Sequence, residues 1–228
     1  MATRIAKFLS EQGILSRRAA EQAIANGRIK LNGKIITIPA TLVIDADKIE
    51  IDGKQIKNFA QHSKLYLFHK PIGCLTTARD PLGRKTIYDI LPKEYKCLKY
   101  IGRLDYNTSG LLLMTSDGEL ARKMTLPSAG LERTYIAKLG RAMTMDDEMF
   151  NRIIKPAKKG IKINGIIYRP MKMERIDGSD AKITITEGKK NEIRIVFEHI
   201  GLPVRKLHRI SYGPYQISSL KPGQIIPA

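Results

Sequence analysis

The chain has 228 residues, 43% of them hydrophobic, which is enough for a sizeable core in one or two domains. Its 40 Lys and Arg residues outnumber 22 acidic residues and give a formal net charge of +18, an excess that favours nucleic acid or an anionic membrane surface as partner. No apolar run approaches the roughly 20 residues of a membrane span, and the start, MATRIAKFLSEQGILSRR, lacks the apolar core of a signal peptide, so we expect a cytoplasmic protein that binds RNA or DNA and no membrane.

The N-terminal stretch predicts a small unit of two helices and several short strands. The first helix is predicted in TRIAKFLSEQGI, with Thr3 as a candidate cap. The second is predicted in SRRAAEQAIANG, where Ser16 caps the helix and Gly27 ends it. Asn32-Gly33, between two alternating segments, favours a two-residue hairpin turn. Further short strands fit LVID and DKIEIDGK.

Two arginines, Arg17 and Arg18, fall in the first turn of the second helix, where the helix dipole disfavours cations. A solvated helix start is the ordinary explanation, and RNA contact is the alternative. Together with the helix pair and the hairpin GRIKLNGK, they resemble the small RNA-binding domain named after ribosomal protein S4. The resemblance implies docking on folded RNA through shape and phosphate contacts.

The segment that follows, IKNFAQHSK from Ile56 to Lys64, shows no periodicity and is interpreted as a linker. We therefore predict an S4-like RNA-binding domain over residues 1–57 and a second domain over residues 64–228. Residues 61–228 carry 30 basic and 16 acidic side chains. Because the larger segment is itself strongly basic, we expect it to contact polyanion directly.

The larger segment mixes strands and helices without regular alternation, which is typical of an α+β fold with a largely antiparallel mixed sheet and flanking helices. Helices are predicted after the pattern Ser116-Asp117-Gly118-Glu119, after Thr144-Met145-Asp146-Asp147 and in NEIRIVFEHI. Strands are predicted in KLYLFHK, KYIGRL, LLLMTS, RTYIAKL, IIYRPMKMERI, AKITIT and VRKLHRI.

The chemistry-bearing residues are few. Two cysteines and four histidines show no spacing typical of a metal site or a disulfide, so neither is expected. Asp105, in GRLDYNTSGLLLMTSDGE, sits on a turn between two apolar segments. An aspartate on a turn most often caps it. No close second carboxylate suggests a glycosidase or a two-metal nuclease.

Four motifs in this segment change that interpretation. The sequences HKPIG, GRLDYNTSGLLLMTSDGELA, ERTYIAKL and EGKKNEIRIVFEHIGLPVRKLHRISYGP follow one another at sensible distances. They resemble the successive motifs of the RsuA-type pseudouridine synthases of ribosomal RNA, over nearly all of residues 64–223. An S4-like module in front is the usual companion in that family. The resemblance implies an isomerase without a cofactor that takes part in rRNA processing and ribosome biogenesis.

The resemblance also implies roles for particular residues. The family's essential aspartate matches Asp105, which would act as the nucleophile on the sugar or on the base. Arg194, in NEIR, matches the arginine that pairs with the aspartate and keeps it ionised. Tyr135, in RTYIAKL, matches the tyrosine that packs on the target base. Leu207, in RKLHR, matches an apolar residue on the other side of the pocket.

Arg103 matches an arginine that helps to hold the extruded nucleotide or to fill the space that it leaves. One departure from the family concerns the motif EIRR, because this chain has Ile195 after Arg194. A phosphate contact is missing there, and we expect Lys189 and Lys190 to compensate as RNA-binding residues.

The C-terminal motif most resembles that of family members that act on large-subunit rRNA, so a uridine of that RNA, free or in an assembly intermediate, is the predicted substrate of a monomeric enzyme. The same reaction on small-subunit rRNA is the alternative. A non-catalytic RNA-binding ribosome assembly factor would explain the charge and the S4-like module equally well. It would not explain why Asp105, Tyr135 and Arg194 all keep the family's residue types.

Overall fold

The computed structural model describes residues 2–12, 14–44, 46–56, 65–140 and 145–228. They form two compact units. The first is built from the described residues of Met1–Leu65 with Pro92–Lys99 and Thr115–Leu120, and the second from Tyr66–Leu91, Tyr100–Met114 and Ala121–Ala228. The first unit thus includes two segments that lie later in the chain, so the two units are not separated by a single boundary in the sequence. The predicted linker lies outside the described residues except for Ile56, so the domain limits at 57 and 64 stay predictions.

The first unit contains the two predicted helices, and their apolar faces form its core. Ser16 caps the second helix as predicted, because its hydroxyl accepts a hydrogen bond from the Ala19 amide at 3.2 Å. The prediction that Thr3 caps the first helix is wrong: Thr3 belongs to a short strand paired with Val43, and Arg4 occupies the capping position. The elements are β1 Thr3–Arg4, α1 Ile5–Glu11, α2 Arg17–Ala25, β2 Ile29–Leu31, β3 Lys34–Ile35, β4 Leu42–Val43, β5 Ile49–Ile51 and β6 Lys54–Gln55.

The predicted hairpin joins β2 to β3. Leu31 pairs with Lys34, which leaves Asn32 and Gly33 as the two turn residues. Both have positive φ, +50° and +82°, as a type I′ turn requires. The hairpin belongs to a small sheet with the strand order β3-β2-β5-β6, which packs on the helix pair.

The second unit is built on a mixed sheet with flanking helices. Its elements are β7 Leu65–Lys70, β8 Lys99–Ile101, β9 Thr108–Thr115, α3 Gly118–Thr125, β10 Arg133–Leu139, α4 Asp147–Lys159, β11 Ile161–Ile163, β12 Ile166–Tyr168, β13 Lys172–Asp177, β14 Asp180–Ile185, α5 Glu192–His199, β15 Val204–Tyr212, β16 Tyr215–Gln216 and β17 Ile225–Pro227.

The sheet has nine strands in the part of the chain that is described. Its strand order is β13-β14-β10-β15-β9-β7-β17, with β16 paired to β15 and β8 paired to β9. Neighbouring strands are mainly antiparallel, and β15 with β9 is a parallel pair. The predicted α+β class is thereby confirmed.

Strand β9 lies at the centre of the core. Its residues 111–114 are all fully buried, so both faces of the sheet are covered at this strand. Gly110 allows the close approach of β15, because a Cβ atom at this position would lie 2.2 Å from the Arg209 carbonyl oxygen. The parallel pair of β9 and β15 therefore requires glycine at position 110.

One predicted helix start of the second unit is corrected. Asp117, not Ser116, caps α3: its Oδ1 accepts from the Glu119 and Leu120 amides at 2.7 and 3.1 Å. For α4 the cap is Asp146, which accepts from the Met149 amide, while Thr144 lies outside the described residues. Among the helices that the structure describes, none has both the length and the apolar character needed to cross a membrane.

Candidate active site

A cavity of about 680 Å³ lies in the second unit, between one face of the sheet, the turn before β9 and the start of α5. Three of the four matched motifs contribute residues to its lining, and HKPIG contributes none. Seven of the predicted site residues meet there: Arg103, Asp105, Tyr135, Lys189, Lys190, Arg194 and Leu207. Arg17 and Arg18 are exposed on α2 of the first unit and do not line this cavity.

Asp105 sits on a tight turn at the rim of the cavity. Its carbonyl oxygen accepts a hydrogen bond from the Thr108 amide at 3.0 Å, which closes the turn just as β9 begins. The residue is exposed, and its carboxylate forms no hydrogen bond or ion pair with any described residue. The turn is therefore fixed through its backbone, while the carboxylate stays free to act on a substrate.

Lys70 anchors the backbone of that turn, a role that the sequence did not predict. Its side chain is fully buried at the end of β7, and the ammonium donates to the carbonyl oxygens of Pro71, Asp105 and Thr108 at 3.0, 3.1 and 2.9 Å. Burial lowers the pKa of Lys70, while the nearby Cys74 and Asp105 side chains act in the opposite direction. The motif HKPIG contained this lysine, but nothing local in the sequence marks it as buried.

Arg194 holds the same turn from the other side. Its guanidinium donates to the carbonyl oxygens of Asn107 and Val204, each at 2.9 Å. The ion pair with Asp105 that the resemblance implied is not formed, although both side chains line the cavity. In this structure Arg194 therefore positions the backbone beside Asp105 and does not pair with the carboxylate.

Tyr135 and Leu207 form the apolar wall on the sheet. Tyr135 of β10 pairs with Arg209 of β15, two residues beyond Leu207, and Leu207 pairs with Thr108. Because side chains alternate along a strand, these residues all point to the same face. Tyr135 and Leu207 are 7% and 6% exposed, so the wall is largely closed to water.

A buried group of two arginines around one tyrosine also lines the cavity. Arg133 and Arg209 place their guanidinium carbons 4.8 and 5.0 Å from the centre of the Tyr212 ring. Arg133 also donates to the Tyr212 hydroxyl, and Arg209 donates from Nε to the Leu111 carbonyl at 2.7 Å. The sequence did not predict this group, because Arg133 of β10 lies far along the chain from Arg209 and Tyr212, which share β15.

A second carboxyl group on the cavity wall belongs to Glu192, the first residue of α5. It is 3% exposed, and it accepts a hydrogen bond from the Lys189 amide at 2.9 Å. Burial, together with the hydrogen bond that protonated Glu192 donates to the neighbouring Glu187 carboxylate, raises the pKa of Glu192 to about 7. Burial also acts to raise the pKa of Glu187, but bonds from the Arg169 amide and the Lys189 ammonium bring it below its usual value. Glu192 thus holds the proton of the pair.

The rim of the cavity is cationic. Arg103, Lys189 and Lys190 are all exposed, and Lys189 pairs with Glu187. Within the described residues, no group of three or more His, Cys, Asp or Glu side chains could hold a metal ion. The arrangement offers a free carboxylate, an apolar and aromatic wall, and cations at the entrance.

Comparisons with known proteins agree with this arrangement. A family model described as RNA pseudouridylate synthase matches residues 64–199, and one described as S4 domain matches residues 3–49. The solved structure described as a pseudouridylate synthase superposes with a TM-score of 0.67 and 28% identity, covering 99% of this chain and 95% of its own.

Among sequence relatives, an uncharacterized RNA pseudouridine synthase of Rickettsia typhi is 40% identical over 96% of this chain and 89% of its own length. One from Aquifex aeolicus is 35% identical over 98% and 89%. The ribosomal large subunit pseudouridine synthase B of Xanthomonas axonopodis pv. citri is 38% identical over 92% of this chain but 39% of its own. With an S4 domain ahead of a synthase domain, the chain belongs to the RsuA type of the RNA pseudouridine synthase family and is an isomerase that acts on RNA.

Proposed function

We propose that the chain converts one uridine of ribosomal RNA to pseudouridine, with Asp105 as the nucleophile. The observation that carries this proposal is the free Asp105 carboxylate on a turn whose backbone is held by Lys70 and Arg194. A nucleophile needs a fixed position and an available electron pair. The anchored turn supplies the position, and the carboxylate without a hydrogen bond supplies the electron pair. A carboxylate that only capped the turn would instead accept backbone hydrogen bonds.

In the proposed reaction Asp105 attacks the sugar or the base, the bond between uracil N1 and ribose C1′ breaks, and the base turns. A bond between C5 and C1′ then forms, and the bond to Asp105 breaks to regenerate the free carboxylate. C5 loses a proton and N1 gains one, so the atoms balance without a co-reactant or a cofactor. The detached base must stay in the cavity between these steps. Tyr135 and Leu207 suit that purpose, since their buried side chains give the base a dry apolar wall.

The uridine must leave its helix before it can reach Asp105, which costs a few kcal/mol. Arg103, Lys189 and Lys190 are exposed at the cavity rim, where they can bind the phosphates on either side of the extruded nucleotide. The proposed enzyme acts as a monomer, since all of these groups belong to the cavity of one chain.

The proposed substrate is large-subunit rRNA, with small-subunit rRNA as the alternative. Relatives from Xanthomonas and Xylella that carry the name of a ribosomal large subunit enzyme support this choice. The test is a map of pseudouridine in total rRNA from cells with and without the protein. One large-subunit site should disappear with the gene and return with it. An unchanged map would refute the proposal, and a lost small-subunit site would correct the target.

For the first unit we propose docking on folded rRNA through Arg17 and Arg18, which are exposed at the start of α2. Changing both to Ser should weaken binding to an rRNA transcript by about tenfold and flatten its salt dependence, because two phosphate contacts are lost. The rate at saturating RNA should stay within about twofold of wild type. A lower saturated rate with unchanged affinity would contradict the docking role.

A further inference from the structure

The loop of residues 77–85 presents the most exposed large hydrophobic side chain in the described part of the chain. Leu82, at its tip, is 76% exposed. A single exposed leucine on a protein surface is ordinary. Three further features of this loop (its rigidity, its attachment and its charge) distinguish it from a chance exposure.

The loop is rigid. Its ends are joined by a β-bridge between Leu75 and Thr86 and by the bond from the Leu75 amide to the Lys85 carbonyl at 2.8 Å. Inside it, the Asp80 carboxylate accepts from the amide, Nε and Nη2 of Arg84 at 2.9, 3.0 and 2.8 Å. These bonds hold the pKa of Asp80 at about 2. Leu82 lies between these two residues, so its backbone is ordered before any partner binds.

The loop is attached next to Asp105. The Thr76 hydroxyl donates to the Leu104 carbonyl at 2.7 Å and accepts from the Leu104 amide at 3.2 Å. On the other side of Asp105, the Tyr106 carbonyl accepts from the Gly73 amide at 3.0 Å. Leu82 is six residues beyond Thr76, so its backbone lies within about 20 Å of this anchor.

The charge of the loop fits a polyanion. Arg79, Arg84 and Lys85 are exposed around the apolar tip, and the acidic Asp80 is occupied by Arg84. Apolar side chains flanked by cations are used by nucleic-acid-binding proteins to enter between stacked bases, while the cations bind phosphate. RNA offers a counterpart for both features, because its stacked bases can accept an apolar side chain and its phosphates can bind the cations.

We propose that Leu82 is an apolar wedge that enters the base stack of the substrate RNA beside the uridine that is extruded toward Asp105. The inference rests on the proposed function, since it assigns Leu82 a place on that same RNA. By occupying the gap in the stack, Leu82 lowers the free-energy cost of the extruded state. It takes no part in the chemical step.

The test compares two RNAs in single-turnover kinetics. One is a stem-loop that carries the uridine mapped in cells, and the other is the same stem-loop with an abasic site opposite that uridine. Leu82→Ala should slow the reaction on the first RNA by about tenfold and on the second by less than about twofold, because an unpaired base needs little help to leave the stack. Ile167→Ala is the matched control, since Ile167 is 67% exposed, lies on the β12 hairpin and does not line the cavity.

Equal slowing on both RNAs, or no slowing on either, would overturn the wedge. A second readout does not depend on turnover: 2-aminopurine next to the uridine brightens when its neighbour leaves the stack. Wild type should raise this fluorescence on binding and Leu82→Ala should not. If wild type forms no pseudouridine in any rRNA, the proposed function fails, whereas equal fluorescence for both proteins refutes the wedge alone.

Discussion

Asp105 and Glu192 place two carboxyl groups on the wall of one cavity, and the fold treats them in opposite ways. At Asp105 the backbone is anchored by Lys70 and Arg194 while the carboxylate has no partner among the described residues. At Glu192 the carboxyl group itself is buried, bonded and protonated up to about pH 7. The proposed nucleophile thus has a fixed main chain and a free side chain, whereas the buried acid has its side chain held in place.

Exchanging carboxylate for amide at each position tests this comparison most strongly. We expect Asp105→Asn to lower the single-turnover rate of pseudouridine formation at least about 1000-fold, because an amide cannot act as the nucleophile. Binding of RNA should change by less than about tenfold. Glu192→Gln, the matched control, should stay within about threefold of the wild-type rate. If both variants lost activity equally, the two carboxyl groups would share the chemistry and the comparison would fail.

The anchoring of the Asp105 turn is tested by Lys70→Met, which keeps the length of the side chain and removes its three donors. The buried Thr108 carbonyl oxygen loses this donor, and an unsatisfied buried carbonyl costs about 1–3 kcal/mol. The Asp105 carbonyl keeps its bond from the Thr108 amide. We therefore expect the free energy of unfolding to fall by about 1–3 kcal/mol and the rate to fall roughly 100-fold, with RNA affinity nearly unchanged. Urea unfolding and single-turnover kinetics measure the two effects. A stable variant with the wild-type rate would show that the turn needs no buried anchor.

The other anchor is tested by Arg194→Ala. The carbonyls of Asn107 and Val204 lie where water can replace the arginine, so we expect a stability loss of about 1 kcal/mol and a rate roughly tenfold lower. Arg194→Lys should recover little, since one ammonium does not reproduce the planar fork that reaches both oxygens. Lower RNA affinity at an unchanged saturated rate would reassign Arg194 to phosphate contact.

The smallest effect concerns the pH dependence of stability at Glu192. Its folded-state pKa, about 7, lies above the usual 4.5, so its contribution to stability is present at low pH and is lost as the pH rises from about 4.5 to about 7. Glu192→Gln lacks this loss. Relative to wild type, the variant should therefore gain on the order of 1 kcal/mol, or about 2–4 °C in melting temperature, between pH 5 and pH 8. If the difference in melting temperature between the variant and wild type were the same at pH 5 and pH 8, the raised pKa of Glu192 would be refuted.

The sequence predicted the site residues better than their contacts. Asp105, Tyr135, Arg194 and Leu207 were placed by motif and line one cavity. The roles of Lys70 and Arg194 were missed or misjudged because their partners are carbonyl oxygens, which every residue has and no motif records. Local patterns also predicted the Ser16 cap and the Asn32-Gly33 turn, whose geometry depends on adjacent residues alone.

Contacts between distant segments explain the remaining differences. Strand β17 pairs with β7, although nothing in the short apolar run at the C-terminus indicates a partner more than 150 residues away. The protonated state of Glu192 depends on Glu187 and on burial by the fold. The segments Pro92–Lys99 and Thr115–Leu120 belong to the compact unit of the N-terminal residues. No local pattern in these segments predicts that membership either.

The parallel pairing of β9 with β15 has a consequence for the timing of synthesis. The first compact unit uses no residue beyond Leu120, whereas the cavity wall needs Leu207, Arg209 and Tyr212. Chains are made from the N-terminus at about 5–20 residues per second, so the ribosome completes the S4-like unit roughly 5–20 s before the strand that completes the cavity wall. If the first unit docks on RNA as proposed, a nascent chain can bind RNA before its cavity is formed.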